Sequence, residues 1–357
     1  MKKTVFILNI PPPYGGGEIV SQHLYSHLRG KYTFLINSRD RHDKSTQGKI
    51  SFRNVYWGVK LIFKAISKII EVKADVVYIG IGKDLPSFIR DSVIILAAKL
   101  LGATLVCELH GMSFLFIEYP TKNKLFHFVI NKIDKLRVLS TSIETYLRGQ
   151  GYENTIKVID NGIPAPDACA KKIEGSLRFL YMGTISKKKG FLTVVKFLET
   201  LKEAGISDFS LDVLGEWEDI AFKYAVLASL KESIVKDNII FHGLIKNEKK
   251  WEYFKQAHIM VHFSEWDGQP LTIIEAMSQG VPVIATRVGA IPEMIDTTIN
   301  GFLVDSPVEE AKNIVLAFTD GRLDYHEISK KAIETYNSRF TVEIMAARIE
   351  DLIRKEA

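Results

Sequence analysis

Ser264-Glu265-Trp266-Asp267-Gly268-Gln269-Pro270-Leu271-Thr272-Ile273-Ile274-Glu275-Ala276-Met277 joins an apolar run, 259–263, to a segment of helical spacing that Gly280 closes. A short apolar run, a turn with Gly and Pro, then a helix-period segment is the unit of parallel sheets, a strand feeding a crossover helix. Proline suits the first helical position and glycine the residue past the end. The spacing therefore predicts that Pro270 opens the helix. Unpaired amides near Gln269, Leu271 and Thr272 should then point out of the strand end, where a phosphate or sugar hydroxyl can dock. Glu275 falls a little over one turn inside, close enough to the mouth to accept hydrogen bonds from a pair of hydroxyls, and Asp267 sits on the loop before it. Acidic residues near helix N-termini also have a purely structural use, so this spacing alone does not decide the site.

The same alternation extends in both directions. Before the quoted stretch, strands are expected at 3–9, 32–37, 75–79, 104–109, 135–139 and 156–159, with helical segments such as 17–28 and 87–101 between them. After Asn161-Gly162-Ile163-Pro164-Ala165-Pro166, an exposed connector by its prolines, the pattern restarts with strands at 177–182, 210–214, 239–241, 259–263, 281–285 and 302–304. The expected division is 1–165, 166–340, and a C-terminal segment, 341–357, whose helix at 342–354 has an apolar face (Met345, Ile349, Leu352, Ile353) that fits either domain or returns to the first. The class is α/β, and ligands of such sheets gather at the strand carboxyl ends. The length, 357 residues, suits two cores.

Composition excludes several alternatives. An apolar share of 46% and a charged share of 25% describe a folded globular chain. The longest apolar region, 93–107, is broken by Lys99 and Gly102, too short a run to span a bilayer. Asn9 and Pro11-Pro12-Pro13 cut the N-terminal apolar run, which reads as a strand rather than a signal peptide. Two cysteines, Cys107 and Cys169, build neither a disulfide framework nor a metal site, which fits a cytoplasmic protein. A net charge of +5 suits a phosphate-bearing ligand or an anionic lipid surface, and no nucleic-acid module is present.

The segment Asp267-(seven residues)-Glu275-Ala276-Met277, followed by Gly280-Val281-Pro282-Val283, resembles the retaining nucleotide-sugar transferases of glycosyltransferase family 4. Their hallmark is two glutamates separated by seven residues, then Ala-Met and Gly-x-Pro-Val. The resemblance implies a GT-B fold, two facing Rossmann-like domains with parallel sheets and an interdomain cleft. It puts the nucleotide ribose on Glu275 and the donor sugar against Asp267, where the family has a glutamate. Aspartate withdraws the charge by one methylene, about 1.5 Å, and Glu265 is a competing candidate.

A second segment, Met182-Gly183-Thr184-Ile185-Ser186-Lys187-Lys188-Lys189-Gly190, follows the first strand of the second half. Three lysines on a loop are ordinarily a solvated turn. The family has Gly-Arg-(four or five residues)-Lys-Gly here, so the resemblance makes Lys189 a diphosphate ligand and puts Thr184 in the arginine's place, with Lys187 or Lys188 supplying the missing cation. In the first half, Gly15-Gly16-Gly17-Glu18 allows close backbone approach to a ligand. The family's equivalent loop, here Gly16 and Gly17, lies under the diphosphate and acceptor. His110-Gly111 ends the strand 104–109; a lone histidine there is often structural, and the resemblance places it by the donor sugar. Asp160-Asn161-Gly162-Ile163 resembles the family's Pro-Asn-Gly-Val turn, and Thr286-Arg287-Val288-Gly289 its turn after the Pro-Val strand, with Arg287 read as a structural pairing.

The expected activity is transfer of a sugar, with retention, from a UDP- or GDP-sugar to a glycan or lipid-linked acceptor in cell-surface polysaccharide or glycolipid synthesis. Gly268, Gln269, Pro270, Leu271 and Thr272 join the donor-binding set, and His110, Lys189, Asp267 and Glu275 the catalytic one. No cofactor or metal is expected, the nucleotide sugar being a substrate, and no Asp-x-Asp pair is present. The alternative is a donor-binding partner subunit without turnover. Lys60, Lys64 and Lys68 form one stripe of the segment 59–73, an ordinary surface helix or a site of peripheral contact with an anionic membrane.

Overall fold

The computed structural model describes residues 2–38, 52–82, 84–110, 124–245 and 247–355. The chain divides into two compact units, Met1–Pro164 with Thr341–Ala357, and Ala165–Phe340.

The first unit carries β1 (Thr4–Asn9), α1 (Gly16–Leu28), β2 (Thr33–Asn37), α2 (Phe52–Val72), β3 (Val76–Gly80), α3 (Leu85–Leu100), β4 (Thr104–Glu108), α4 (Lys124–Ile130), β5 (Lys135–Val138), α5 (Thr141–Gly149) and β6 (Thr155–Val158). Its sheet runs β2-β1-β3-β4-β5-β6, every pair parallel. Val5, Ile7, Val77, Ile79, Leu105 and Cys107 are almost wholly enclosed, because a parallel sheet is covered on both faces and its inner strands read as continuous apolar runs. Polar side chains set the helix starts: Asp84 accepts from Ser87 N at 3.0 Å to cap α3, and Ser140 from Ile143 N at 3.3 Å to cap α5.

The second unit continues with β7 (Leu177–Met182), α6 (Phe191–Glu203), β8 (Phe209–Leu214), α7 (Ile220–Lys231), β9 (Ile239–Gly243), α8 (Lys250–Gln256), β10 (Ile259–His262), α9 (Leu271–Ser278), β11 (Val283–Thr286), α10 (Ile291–Met294), β12 (Gly301–Val304), α11 (Pro307–Thr319) and α12 (Tyr325–Arg339). Its sheet, also parallel, runs β12-β11-β10-β7-β8-β9. Phe179 and Phe263 each meet Phe197 edge to face in its core, and Phe191 meets Tyr181 in the same way.

The last helix, Val342–Arg354, belongs to the first unit although the whole second unit precedes it. Met345, Ile349, Leu352 and Ile353 are buried, and the helix packs against α1. Tyr32 donates to Glu350 Oε1 at 2.8 Å, and Lys135 Nζ to the Leu352 carbonyl at 2.9 Å.

Candidate functional site

Each sheet has one place where the direction of strand addition reverses, and loops on either side of it diverge to leave a crevice at the strand carboxyl ends. In the second unit it lies between β7 and β10. The loop after β7 brings Lys189, and the loop after β10 brings Asp267. Lys189 Nζ is 2.6 Å from Asp267 Oδ2, and His262 Nε2, from the last residue of β10, is 3.0 Å from the same oxygen. Burial alone would raise the Asp267 carboxyl; the His262 hydrogen bond and the Lys189 ammonium override it and lower it to about 2. The two loops are also tied by their backbones, Glu265 N donating to the Lys188 carbonyl at 2.9 Å.

Gly190 explains why a glycine follows the lysine. Its φ of +71° is left-handed, and a Cβ there would lie 1.9 Å from the Phe263 carbonyl oxygen. Only glycine lets the start of α6 pass the end of β10 this closely.

Glu275 lies inside α9 with its side chain 7% exposed. Oε1 accepts from Lys250 Nζ at 2.6 Å, and Oε2 is buried with no partner among the described residues. Burial raises the Glu275 carboxyl, and the Lys250 ammonium offsets part of that rise.

Pro270 corrects one expectation. It is the residue before the helix, extended at φ −72° and ψ 124°, and α9 starts at Leu271. The Pro270 carbonyl accepts from Ile273 N at 3.2 Å, which closes the first turn one residue later than the spacing suggests. Gln269 and Pro270 are buried, whereas Gly268, Leu271 and Thr272 are half-buried at the mouth. Thr184, Lys187, Lys188 and Glu265 are exposed, and Arg287 pairs with Asp305 at 3.3 Å.

In the first unit the reversal falls between β1 and β3. A cavity of about 590 Å³ opens there, lined by Gly15, Gly16 and Gly17 at the start of α1 and by Gly80, Glu108 and His110 at the ends of β3 and β4. A Cβ on Gly17 would come within 3.2 Å of the His110 ring. His110 Nε2 is 2.8 Å from Glu108 Oε1. Glu108 Oε2 accepts from Tyr78 at 2.5 Å and from Arg137 at 2.6 Å, and Arg137 continues to the Asp160 carbonyl and Asn161 Oδ1. Burial opposes ionisation of Glu108, but His110 and Arg137 hold its carboxyl well below the usual range. Gly111 lies outside the described residues.

The structure thus brings Lys189 with Asp267, and Gly16 and Gly17 with His110, each set within its own unit. Sequence reasoning missed His262, Lys250, Glu108 and Arg137. Glu108 did carry a signal, a carboxylate inside an apolar strand.

Residues 169–335 match the family model described as Glycosyl transferases group 1. An uncharacterized 41.2 kDa protein in the cps region of Klebsiella pneumoniae is 23% identical over 252 residues, 64% of this chain and 64% of that protein, so the match spans just under two thirds of that relative. Lipopolysaccharide 1,6-galactosyltransferase of Escherichia coli K12 is 25% identical over 323 residues, 84% of each chain. Among solved structures, Anabaena Alr3699/HepE in complex with UDP and glucose superposes with a TM-score of 0.71 at 16% identity, over 98% of this chain and 99% of that one. The chain therefore has the GT-B fold, two parallel-sheet Rossmann-like domains, and residues 169–335 are similar to the group 1 glycosyl transferases.

Proposed function

We propose that this chain is a retaining glycosyltransferase that moves a sugar from a UDP- or GDP-sugar to a glycan or lipid-linked acceptor in cell-surface polysaccharide or glycolipid synthesis. The observation that carries the reading is the meeting of Lys189 and Asp267 at the point where strand addition reverses, with the half-satisfied Glu275 on the following helix. A cation, a carboxylate and a helix start at one strand-end crevice match the needs of a donor: a diphosphate, a sugar and a ribose. The galactosyltransferase relative and the UDP-bound structural neighbour support the donor class.

In the proposed step the acceptor hydroxyl oxygen bonds to the anomeric carbon, and the bond from that carbon to the diphosphate oxygen breaks. The hydroxyl proton passes to the departing phosphate. Lys189 neutralises charge as it develops on the diphosphate, where fixed cations contribute most. The amides of Leu271 and Thr272 face the same charge, Gly268, Gln269 and Pro270 shape the loop around it, and Asp267 orients the sugar hydroxyls. Glu275 receives the ribose. His110, held by Glu108, and the loop of Gly16 and Gly17 serve the sugar and acceptor side. Thr184 stands at the edge of the diphosphate site. No metal or other cofactor is part of the proposal.

The lipid-linked class has separate support. On α2, Val55, Tyr56, Val59, Phe63 and Ile70 are exposed beside Lys60 and Lys64, with Lys60 Nζ 4.8 Å from the Trp57 ring centre. Val55 and Val59 also line the cavity that holds His110. Apolar and aromatic side chains flanked by lysines fit an anionic bilayer surface, on the cytoplasmic face by this reading. Among the described residues no helix is long and apolar enough to cross a membrane.

A panel of UDP-, GDP- and ADP-sugars, assayed for nucleoside diphosphate release with and without glycan acceptors, tests the activity. Release with any donor supports it; binding without release on any acceptor overturns it. Sedimentation with vesicles rich in phosphatidylglycerol, compared with phosphatidylcholine alone, tests the membrane contact. Lys60→Glu with Lys64→Glu should abolish it.

A further inference from the structure

Lys250 is the first residue of α8, in the segment that follows the edge strand β9, and reaches Glu275 on the helix after β10. Its side chain is 20% exposed, and Nζ lies 4.6 Å from the centre of the Trp251 ring, which is itself buried. The ammonium is therefore held from two sides. Among the described residues it is the charged group that acts on Glu275 from any packed element.

A carboxylate offers about four acceptor positions, two on each oxygen. Lys250 takes one on Oε1, whereas Oε2 is buried and has no partner among the described residues. An unsatisfied buried acceptor is costly and in a native chain calls for an explanation. Two vicinal hydroxyls supply two donors at the spacing one oxygen can accept. We infer that Lys250 is a positioning residue for nucleotide binding: it grips Oε1 of Glu275 and leaves Oε2 fixed to receive the ribose diol. This rests on the reading that Glu275 receives the ribose.

An apolar side chain at 250 leaves Glu275 buried and uncompensated. Burial then raises its carboxyl further, and the protonated acid loses acceptor capacity. Recognition of the diol should fail first at low pH and return as pH rises, whereas a lysine that only braces the fold would leave diol recognition unchanged.

The test compares UDP and GDP with their 2′,3′-dideoxy counterparts by calorimetry between pH 6 and 8.5, on folded wild type, Lys250→Met, Lys250→Arg and Glu275→Gln. Wild type should prefer the ribose form of the better nucleotide by about tenfold or more. Lys250→Met should lose most of that preference at pH 6 and recover part of it at pH 8.5, and Lys250→Arg should retain it. Glu275→Gln should lose it at every pH. If Lys250→Met discriminates like wild type throughout while Glu275→Gln does not, the role of Lys250 is wrong and the ribose reading survives. If Glu275→Gln discriminates like wild type, or wild type does not discriminate or bind, the ribose reading itself falls.

Discussion

Lys189 Nζ stands 2.6 Å from Asp267 Oδ2, although the two residues follow different strands, β7 and β10, and are 78 positions apart. The pair is shielded, with side-chain exposures of 32% and 18%. The carboxylate holds the ammonium at the strand ends, where by the proposed function a diphosphate would share it. Lys189→Met should lower kcat/KM for the best nucleotide sugar by about 100-fold or more, the usual loss when one charge-stabilising donor is removed from such a site. Lys189→Arg should recover part of the loss. Initial rates of nucleoside diphosphate release decide it, and unchanged turnover in Lys189→Met would remove the lysine from the mechanism.

The same pair sets an acid dependence. The folded Asp267 carboxyl, at about 2, lies below its unfolded value of about 3.9, so its stabilisation is complete above the unfolded value and lost as pH falls from about 4 through 2. The contribution is on the order of 2 kcal/mol. Asp267→Asn should therefore be less stable than wild type near pH 5, and the difference should shrink toward pH 2. Urea unfolding at pH 5, 4, 3 and 2.5 measures it; a difference that stays constant would show that the ion pair does not stabilise the fold.

How far the sequence discloses this site follows from the physics of each residue. The strands fall within one or two residues of the apolar runs, because in a doubly covered parallel sheet burial and strand coincide. Asp267 and Lys189 are marked by spacing within loops whose backbone is constrained by Gly and Pro, and Glu275 by its distance from Asp267 on the helix that follows. Lys250 and His262 carry no comparable mark. His262 looks like one more strand residue, and Lys250 one more lysine in Lys249-Lys250, until the sheet order sets each beside an acid. The last helix shows the same limit: its apolar face declares that it is buried, but the covering surface on α1 lies hundreds of positions away in sequence.

Gly289 supports Asp267 from behind. Its φ is +55°, and a Cβ there would lie 1.9 Å from the Asp267 carbonyl oxygen, while the next residue, Ala290, donates its N–H to the Gly268 carbonyl at 2.9 Å. Gly289→Ala must therefore move the loop that carries Asp267 as well as strain its own backbone. A stability loss of about 1–3 kcal/mol is expected from the backbone conformation, together with a fall in kcat larger than that loss explains. Comparison with Gly321→Ala, at φ +75° with open space around it, separates the two effects, since that variant should lose stability and keep kcat.

Glu108 and His110 divide the same way between fold and site. Glu108 is enclosed and binds Arg137, whose side chain is 1% exposed, so Glu108→Gln leaves a buried guanidinium without its counter-charge. Breaking one partner of a buried pair costs about 3–5 kcal/mol. The loss should appear as early melting of the first unit, seen as faster hydrogen exchange in β3, β4 and β5. His110 sits at the cavity side of the same carboxylate, 14% exposed, and His110→Ala leaves the Glu108–Arg137 contact in place. That variant should melt within about 1 kcal/mol of wild type and lose donor turnover. If it keeps full turnover, His110 serves only to complete the network around Glu108; if Glu108→Gln leaves exchange in the three strands unchanged, the buried pair contributes nothing to the unit's stability.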